Sequence, residues 1–220
     1  MARELPRLLS GLWVDGRWNN DGMISDAEQL WDGYANDFDN EADHGLRDPQ
    51  VRAAWQALLA PLLPEQPARI ADLGCGTGSL SVLLAEQGNT VSGLDISGNM
   101  IRVARSKAQE AGVSIDFGQG DAAVPPFAPA SFDVVLARHV LWVFEDPDAV
   151  LQRWLNLLAP NGRLILIEGR WSTGAGLRAS ECRSLVLRHR AEAELQHLTE
   201  NTQLWGRTVD DDRYLILSPS

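Results

Sequence analysis

The sequence predicts an α/β fold, a doubly wound and mostly parallel sheet of seven strands with an aromatic-rich N-terminal helical lid. Three observations carry this expectation. From about residue 48 helical and extended patterns alternate. The extended runs are apolar on both sides of their alternation, which suits parallel strands covered by helices on two faces. The first run opens into a turn, within "ADLGCGTGSLS" at residues 71–81, that packs three glycines into five positions where a strand gives way to a helix. Repeated βα order implies right-handed crossovers between neighbouring strands.

Residues 1–45 stand outside the alternation and hold Trp13, Trp18, Trp31, Tyr34 and Phe38, a third of the chain's aromatics. Ala27, Leu30, Trp31, Tyr34, Ala35 and Phe38 fall on one helical face with Glu28, Asp32 and Asn36 opposite. Two readings stay open, a helix packed on the core and a lid over a ligand. The remainder, 46–220, reads as one compact unit.

Asp48 followed by Pro49 is an N-cap with proline at the first helical position, and Val51, Ala54, Trp55, Leu58, Leu59 and Leu62 then recur on one face. The strands expected next are "RIADL", "TVSGLD", "SIDF", "FDVVLA" and "RLILIE". Between them, Leu80 to Leu84 lead to Gly88 as a helix stop, and Met100, Ile101, Ala104, Ala108 and Ala111 lead to Gly112. Asp146 and Pro147 open a helix carrying Val150, Leu151, Trp154, Leu155 and Leu158, ended by "PNG". Residues 174–191 read as helical, "ELQHLT" and "RYLILS" as a final strand pair, and Asp210 to Asp212 as a surface turn before the last strand.

Length and charge narrow the function. The 220 residues suffice for one full core. A net charge of −11 argues against nucleic-acid binding, because such surfaces collect Lys and Arg against phosphate. Cys75 and Cys182 are too few for a disulfide framework. Arg3, Glu4, Arg7, Asp15 and Arg17 sit where a targeting peptide needs an apolar run, and no stretch reaches the roughly 20 apolar residues of a membrane span. The expectation is a cytoplasmic protein, monomer or homodimer, without a metal site and with a small-molecule partner.

In a doubly wound sheet, ligands bind beyond the carboxyl ends of the strands where strand order reverses. The "DLGCGTG" turn belongs there. Gly74, Gly76 and Gly78 permit close backbone approach, and the helix that follows directs free N–H groups at a bound group. Asp95 ends the next strand about 20 residues further on, the position from which a carboxylate accepts hydrogen bonds from two ribose hydroxyls. The spacing is GxGxG rather than the GxGxxG of dinucleotide binders. On the residues alone the ligand is an adenosine-type nucleotide.

"DLGCGTG", then "GLDIS", "GDA", "FDVVLARHVL" and "LAPNGRLILIE" form an ordered series over roughly residues 29–170. The series resembles the class I S-adenosylmethionine (SAM)-dependent methyltransferases, Rossmann-like enzymes, and particularly their small-molecule, ubiquinone-biosynthesis-like branch. The resemblance implies SAM as cofactor and S-adenosylhomocysteine as product. It implies that Asp72, Gly74, Cys75 and Gly76 line the methionine end, that Asp95 binds the ribose, and that Ile96 and Met100 pack on the adenine. Asp121 and Ala122 match the adenine-amine contact, and Arg138 begins the loop beside the sulfonium. "WDGYANDFD" is similar to the Tyr-rich helix that often precedes the family's core, with Trp31 where a Tyr is frequent and Tyr34 as a substitute hydroxyl. Cys75 is assigned no thiol chemistry.

Methyl transfer is an in-line displacement. Positioning alone is worth roughly 7–11 kcal/mol in favourable cases, against about 10²- to 10⁴-fold for a general base. His139 is the first candidate base, because "FDVVLA" ends at the carboxyl edge and an imidazole with pKa near 6.5 suits proton abstraction; packing is the other reading of this residue. Glu168 at the end of the fifth strand is the second candidate, or else a cap or a partner of Arg170. His44 is a third, with a surface position the stronger expectation. Trp31, Tyr34, Phe38, Trp142 and Trp171, with Phe144, offer flat walls for an aromatic or apolar acceptor. Arg178, Arg183, Arg188 and Arg190 read as a solvated face, or as a site for an acidic group.

The reading is a SAM-dependent methyltransferase acting on oxygen or nitrogen of a small molecule. Sulfur or carbon methylation within the same fold, an NAD-binding oxidoreductase and a non-catalytic SAM-binding protein are the alternatives. The GxGxG spacing and the lack of a separate catalytic segment weigh against the oxidoreductase.

Overall fold

A computed structural model describes residues 13–14, 17–18 and 23–219 of the chain. Seven strands form one sheet: β1 (Arg69–Leu73), β2 (Thr90–Asp95), β3 (Asp116–Gln119), β4 (Phe132–Arg138), β5 (Leu158–Arg170), β6 (Glu194–His197) and β7 (Asp212–Ser218). Their order across the sheet is β3-β2-β1-β4-β5-β7-β6. The first five are parallel, while β7 runs antiparallel to both β5 and β6. Strand order reverses between β1 and β4, so the glycine turn after β1 lies at the switch point.

The helices are α1 (Met23–Tyr34), α2 (Ala42–Gly45), α3 (Pro49–Leu59), α4 (Ser79–Glu86), α5 (Gly98–Glu110), α6 (Pro147–Asn156), α7 (Ala179–Leu187) and α8 (Thr202–Trp205). Side chains of the caps satisfy the first free N–H groups. Asp48 accepts from Gln50 N at 2.7 Å, Ser97 from Met100 N at 3.0 Å and Asp146 from Ala149 N at 3.0 Å. Gly88 (φ +89°) and Gly112 (φ +69°) stop α4 and α5 in the left-handed conformation.

Alternate residues of each central strand feed two cores. Ala71, Val135, Leu164 and Leu166 pack with Leu151 and Trp154 of α6 and Val186 of α7. Their neighbours Ile70, Val134, Leu136, Ile165 and Ile167 pack on the other face with Trp55 and Leu59 of α3, Leu83 of α4 and Trp205 of α8. Both faces of the central strands are covered, and this is why the runs read as mostly apolar stretches. Each large indole finds a carbonyl: Trp55 Nε1 donates to Leu204 O, Trp154 Nε1 to Ala122 O and Trp205 Nε1 to Leu198 O, at 2.9, 2.7 and 3.0 Å.

Several boundaries differ from expectation. The third strand is "DFGQ" rather than "SIDF", because its register is set by pairing Ser92 with Asp116. α6 ends before "PNG", and Leu158–Arg170 is one strand: Leu158 pairs with Phe132, and the ladder resumes at Arg163 opposite Val134 after an irregularity that includes Asn161 at φ +65°. α7 is shorter than 174–191, since Gly174 and Gly176 hold a left-handed turn and Glu181 accepts from the Arg178 N–H to start the helix only there. The arginines of this segment diverge, Arg183 to Ala193 O, Arg188 to Asp148 and Arg190 to Gly162 O and Pro219 O, so they form no common anion site.

The leader departs furthest. Its helix stops at Tyr34, and Phe38 lies in a separate 3₁₀ turn, Phe38–Asn40. The polar face expected outward turns onto the body of the protein. Asp32 accepts from Ser97 Oγ and Asn99 N, Glu28 from Gln119 Nε2, and Asn36 from Arg102. Asp32 meets a free N–H and a hydroxyl at the start of α5 and Glu28 meets the side-chain amide at the end of β3, so this contact is polar. Trp13–Val14 pairs antiparallel with Arg17–Trp18. Positions 3, 4, 7 and 15, which carry the reading about targeting, lie outside the described residues. Among the described residues no helix is long and apolar enough to cross a membrane.

Candidate active site

At the carboxyl edge of β1 the turn residues Gly74, Gly76 and Gly78 take φ of +71°, +55° and +74°. Such backbone disfavours any residue with a Cβ. Gly74 N and Cys75 N both donate to Leu94 O, at 2.7 and 3.0 Å, which binds the turn to the end of β2. Beside them Asp95 is buried; its Oδ2 accepts from Gly76 N at 2.8 Å and its Oδ1 from Ser97 N at 2.9 Å. Desolvation pushes its pKa up to about 6 against the pull of those two N–H groups. Each oxygen accepts one backbone N–H and retains a lone pair, so the carboxylate can still take a diol.

Asp72 is buried on β1 and accepts from Ser81 Oγ at 2.5 Å; burial lifts its pKa to about 6 as well. Cys75 is held well above the ordinary thiol range by burial and by the nearby Asp72 and Asp95 charges, so the sulfur stays a thiol. Met100 is fully buried at the start of α5, and the Ile96 carbonyl accepts from Gln119 Nε2 at 3.1 Å. Asp121 accepts from Ala123 N at 2.7 Å just past β3, and the Ala122 carbonyl is taken by Trp154. The ends of β1, β2 and β3 thus bring these residues to one edge of the sheet.

The leader lies across that edge. Phe38 is the side chain nearest to where a Cβ on Gly76 would stand. Its ring stacks on His44 at 4.2 Å between centroids, and Trp31 meets Phe38 and Tyr34 edge-on at 6.3 and 6.4 Å. Asp39 is buried. It accepts from Thr77 Oγ1 at 2.5 Å and stands 2.7 Å from Lys107 Nζ, which also donates to Thr77 and Ser79.

A second group gathers at the ends of β4 and β5. His139 adopts φ +61°; its N–H donates to Ile167 O and its carbonyl accepts from Trp142 Nε1 at 3.0 Å. Its ring lies 5.3 Å from Trp171 and 6.4 Å from Trp205. Burial, with the charges of Arg213, Arg138 and His44, drives its pKa well below the ordinary imidazole value, so the ring is neutral. Trp142 packs on Trp171 at 4.9 Å. Trp171 also lines a small surface depression with Ser172, Thr173, Arg207, Thr208 and Asp211.

Glu168 neither caps the following segment nor pairs with Arg170, which reaches Gly176 O instead. Its Oε1 accepts from Val140 N and Leu141 N at 3.1 and 2.7 Å, fixing the loop that bears His139. Burial raises its pKa to about 8, so it is largely protonated at neutral pH. Arg138 turns toward the leader, donating to Asp43 O at 2.5 Å with its guanidinium 5.1 Å over Trp55.

His44 is half-buried rather than at the open surface, because α2 tucks beneath Phe38 and against Arg213 of β7. Arg213 is buried and pairs with Asp43 and Asp211, so the acidic turn is half engaged inside the protein. Sequence reasoning missed Asp39, Asp43, Lys107, Trp205 and Arg213. Asp39 meets Lys107 68 positions away and Asp43 meets Arg213 170 positions away, so neither pair carries a local pattern.

Residues 71–166 match the family model described as "Methyltransferase domain". The chain is 37% identical over 108 residues to a demethylmenaquinone methyltransferase of Thermus thermophilus, covering 48% of this chain and 49% of that protein. It is 42% identical over 105 residues to a ubiquinone biosynthesis O-methyltransferase of Azorhizobium caulinodans, covering 48% and 42%. The match therefore spans about half the length of these relatives. A solved SAM-dependent methyltransferase from Thermotoga maritima, titled a possible histamine N-methyltransferase, superposes with TM-score 0.66 over 87% of this chain and 98% of that one at 17% identity, a likeness of fold.

Proposed function

We propose that this chain, whose residues 71–166 match the methyltransferase-domain family model, is a class I SAM-dependent methyltransferase that transfers a methyl group from SAM to an oxygen or nitrogen atom of a small aromatic or otherwise apolar acceptor. The observation that carries this reading is Asp95. Its buried carboxylate stands at the end of β2, bound to the N–H of the positive-φ glycine turn, with a free lone pair on each oxygen.

In this reading Asp95 holds the ribose, Gly74 to Gly76 and Asp72 flank the amino-acid end, Ile96 and Met100 bound the adenine and Asp121 and Ala122 meet its amine. SAM supplies an electrophilic methyl carbon on a sulfonium. What the chain supplies is placement and proton management. The described part of the leader, 23–45, closes over the core as a lid, with Trp31, Tyr34 and Phe38 on one side of the acceptor and Trp142 and Trp171 on the other. Glu168 positions the loop of His139, and the neutral imidazole accepts the acceptor's proton.

The test is calorimetry with S-adenosylhomocysteine followed by transfer of radiolabelled methyl from SAM to a panel of phenols and amines. Asn is the substitution for His139, since it tolerates left-handed backbone. His139→Asn should lower turnover by roughly 10²- to 10⁴-fold at unchanged S-adenosylhomocysteine affinity. Full activity in that variant removes the base assignment, and no S-adenosylhomocysteine binding by the parent chain removes the reading.

A further inference from the structure

Ser97 stands between two carboxylates. It is fully buried just past the end of β2, and each of its polar groups is committed. Its N–H donates to Asp95 Oδ1 at 2.9 Å, its hydroxyl accepts from Met100 N at 3.0 Å and donates to Asp32 Oδ1 on α1, and its carbonyl accepts from Ile101 N at 3.1 Å. One residue therefore orients both the acid that ends β2 and the acid that docks the leader helix, with no free group to absorb a shift at either. Asn99 N adds a second hydrogen bond to the same Asp32 oxygen, at 3.0 Å.

The two halves of the described leader are held differently. None of residues 26–34 is buried, and none belongs to a core cluster. Asp39 and Asp43, by contrast, are buried against Lys107 and Arg213. Exposed Asn36 and Asp37 lie between the two halves. A helix with little buried apolar surface is the kind of unit that opens locally while the rest stays folded.

We propose that α1 is a gate whose closure is coupled to cofactor binding through Ser97, with Asp32 and Ser97 as positioning residues. The inference rests on the methyltransferase reading and deepens it. Its sign follows from charge. Burial is the main reason the Asp95 carboxyl resists ionisation, and the Asp32 charge adds to it. Closing α1 over an empty site thus holds a second carboxylate near one that is short of donors. A ribose diol on the free lone pairs of Asp95 brings two donors, stabilises that charge and removes part of the penalty of closing. By linkage, the closed helix tightens cofactor binding by the same factor by which the cofactor slows opening.

The experiment is hydrogen exchange by mass spectrometry on the full chain, with and without saturating S-adenosylhomocysteine, beside calorimetry. S-adenosylhomocysteine should slow exchange over residues 26–34 by about fivefold or more, the lower end of ordinary coupling, and leave 38–46 unchanged. Asp32→Ala should remove that slowing and raise the S-adenosylhomocysteine dissociation constant by the same factor. Ser97→Ala keeps the N–H on Asp95 and loses the hydroxyl; it should remove the slowing too, whereas a helix that merely touches the ligand would still be slowed. Asp32 lies outside the core, so its variant decides even where Ser97→Ala fails to fold. Equal exchange over 26–34 with and without S-adenosylhomocysteine, unchanged affinity in Asp32→Ala, or slowing that survives in Ser97→Ala overturns the gate and leaves the methyltransferase reading standing. A parent chain that binds no S-adenosylhomocysteine overturns both.

Discussion

The Asp39 carboxylate of the leader stands 2.7 Å from the Lys107 ammonium on α5, and both are largely out of water. Lys107 also donates to Thr77 and Ser79, so one ammonium ties the leader, the glycine turn and α5 together. Burial depresses the Lys107 pKa, opposed chiefly by Asp39 itself. The pair is thus a connection between the lid and the cofactor turn, and its energetic sign depends on whether one or both partners are removed.

Removing one partner strands a buried charge, which costs about 3–5 kcal/mol, while replacing both by apolar groups is often near neutral. Asp39→Leu and Lys107→Met should each lower the urea midpoint strongly, and the double variant should recover most of the loss. Hydrogen exchange over residues 26–46 should rise in Asp39→Leu. Additive single losses in the cycle would show that the two residues do not act as a unit.

What could be read in the sequence follows the range of the forces involved. The alternation of strands and helices, the Asp48, Asp146 and Gly88 signals and the glycine turn are local and were legible. The docking of α1 was not, because Glu28, Asp32 and Asn36 look like a solvated stripe until the N-terminus of α5 and Gln119 are brought beside them. His44 looked exposed for the same reason: its burial is made by Phe38 and β7, and Arg213 is 169 positions away in sequence. The candidate cofactor residues form one ordered series and could be named from it. The Arg213 and Trp205 side of the candidate site could not.

Asp95→Ala should weaken S-adenosylhomocysteine binding at least tenfold by calorimetry. A modest loss of thermal stability should accompany it, because Gly76 N and Ser97 N lose their acceptor. Asp95→Asn can keep one acceptor oxygen and should lie between the two. Unchanged affinity in Asp95→Ala would remove the ribose assignment.

Glu168 makes the protein less stable as pH rises. Its pKa moves from the ordinary 4.5 to about 8 in the folded state, so between those values the folded chain holds a proton that the unfolded chain has released. Its stabilising contribution is complete below about pH 4.5 and is lost as pH climbs toward 8, by at most about 1.4 kcal/mol per unit. Glu168→Gln keeps an acceptor for Val140 N and Leu141 N and has no proton to lose. Urea midpoints measured from pH 5 to 8 should fall in the parent chain and be flatter in the variant; parallel profiles would show that Glu168 ionises normally.

Gly74 and Gly112 separate backbone strain from close approach. Both sit near φ +70°, and a side chain there costs about 1–2 kcal/mol. A Cβ on Gly112 would meet nothing within 4 Å, whereas one on Gly74 would run into the Val140 side chain. Gly112→Ala should therefore show the strain alone. Gly74→Ala should be markedly worse, since the Val140 loop is pinned by Glu168 and cannot yield freely. Val140→Ala in the Gly74→Ala background removes both methyl groups in the way, leaving the Val140 Cβ 3.2 Å from the added atom. Thermal unfolding of the double variant should recover part of the difference and leave the φ penalty behind. Equal losses for Gly74→Ala and Gly112→Ala would mean that the loop relaxes, and that β4's connection to the turn is looser than its packing implies.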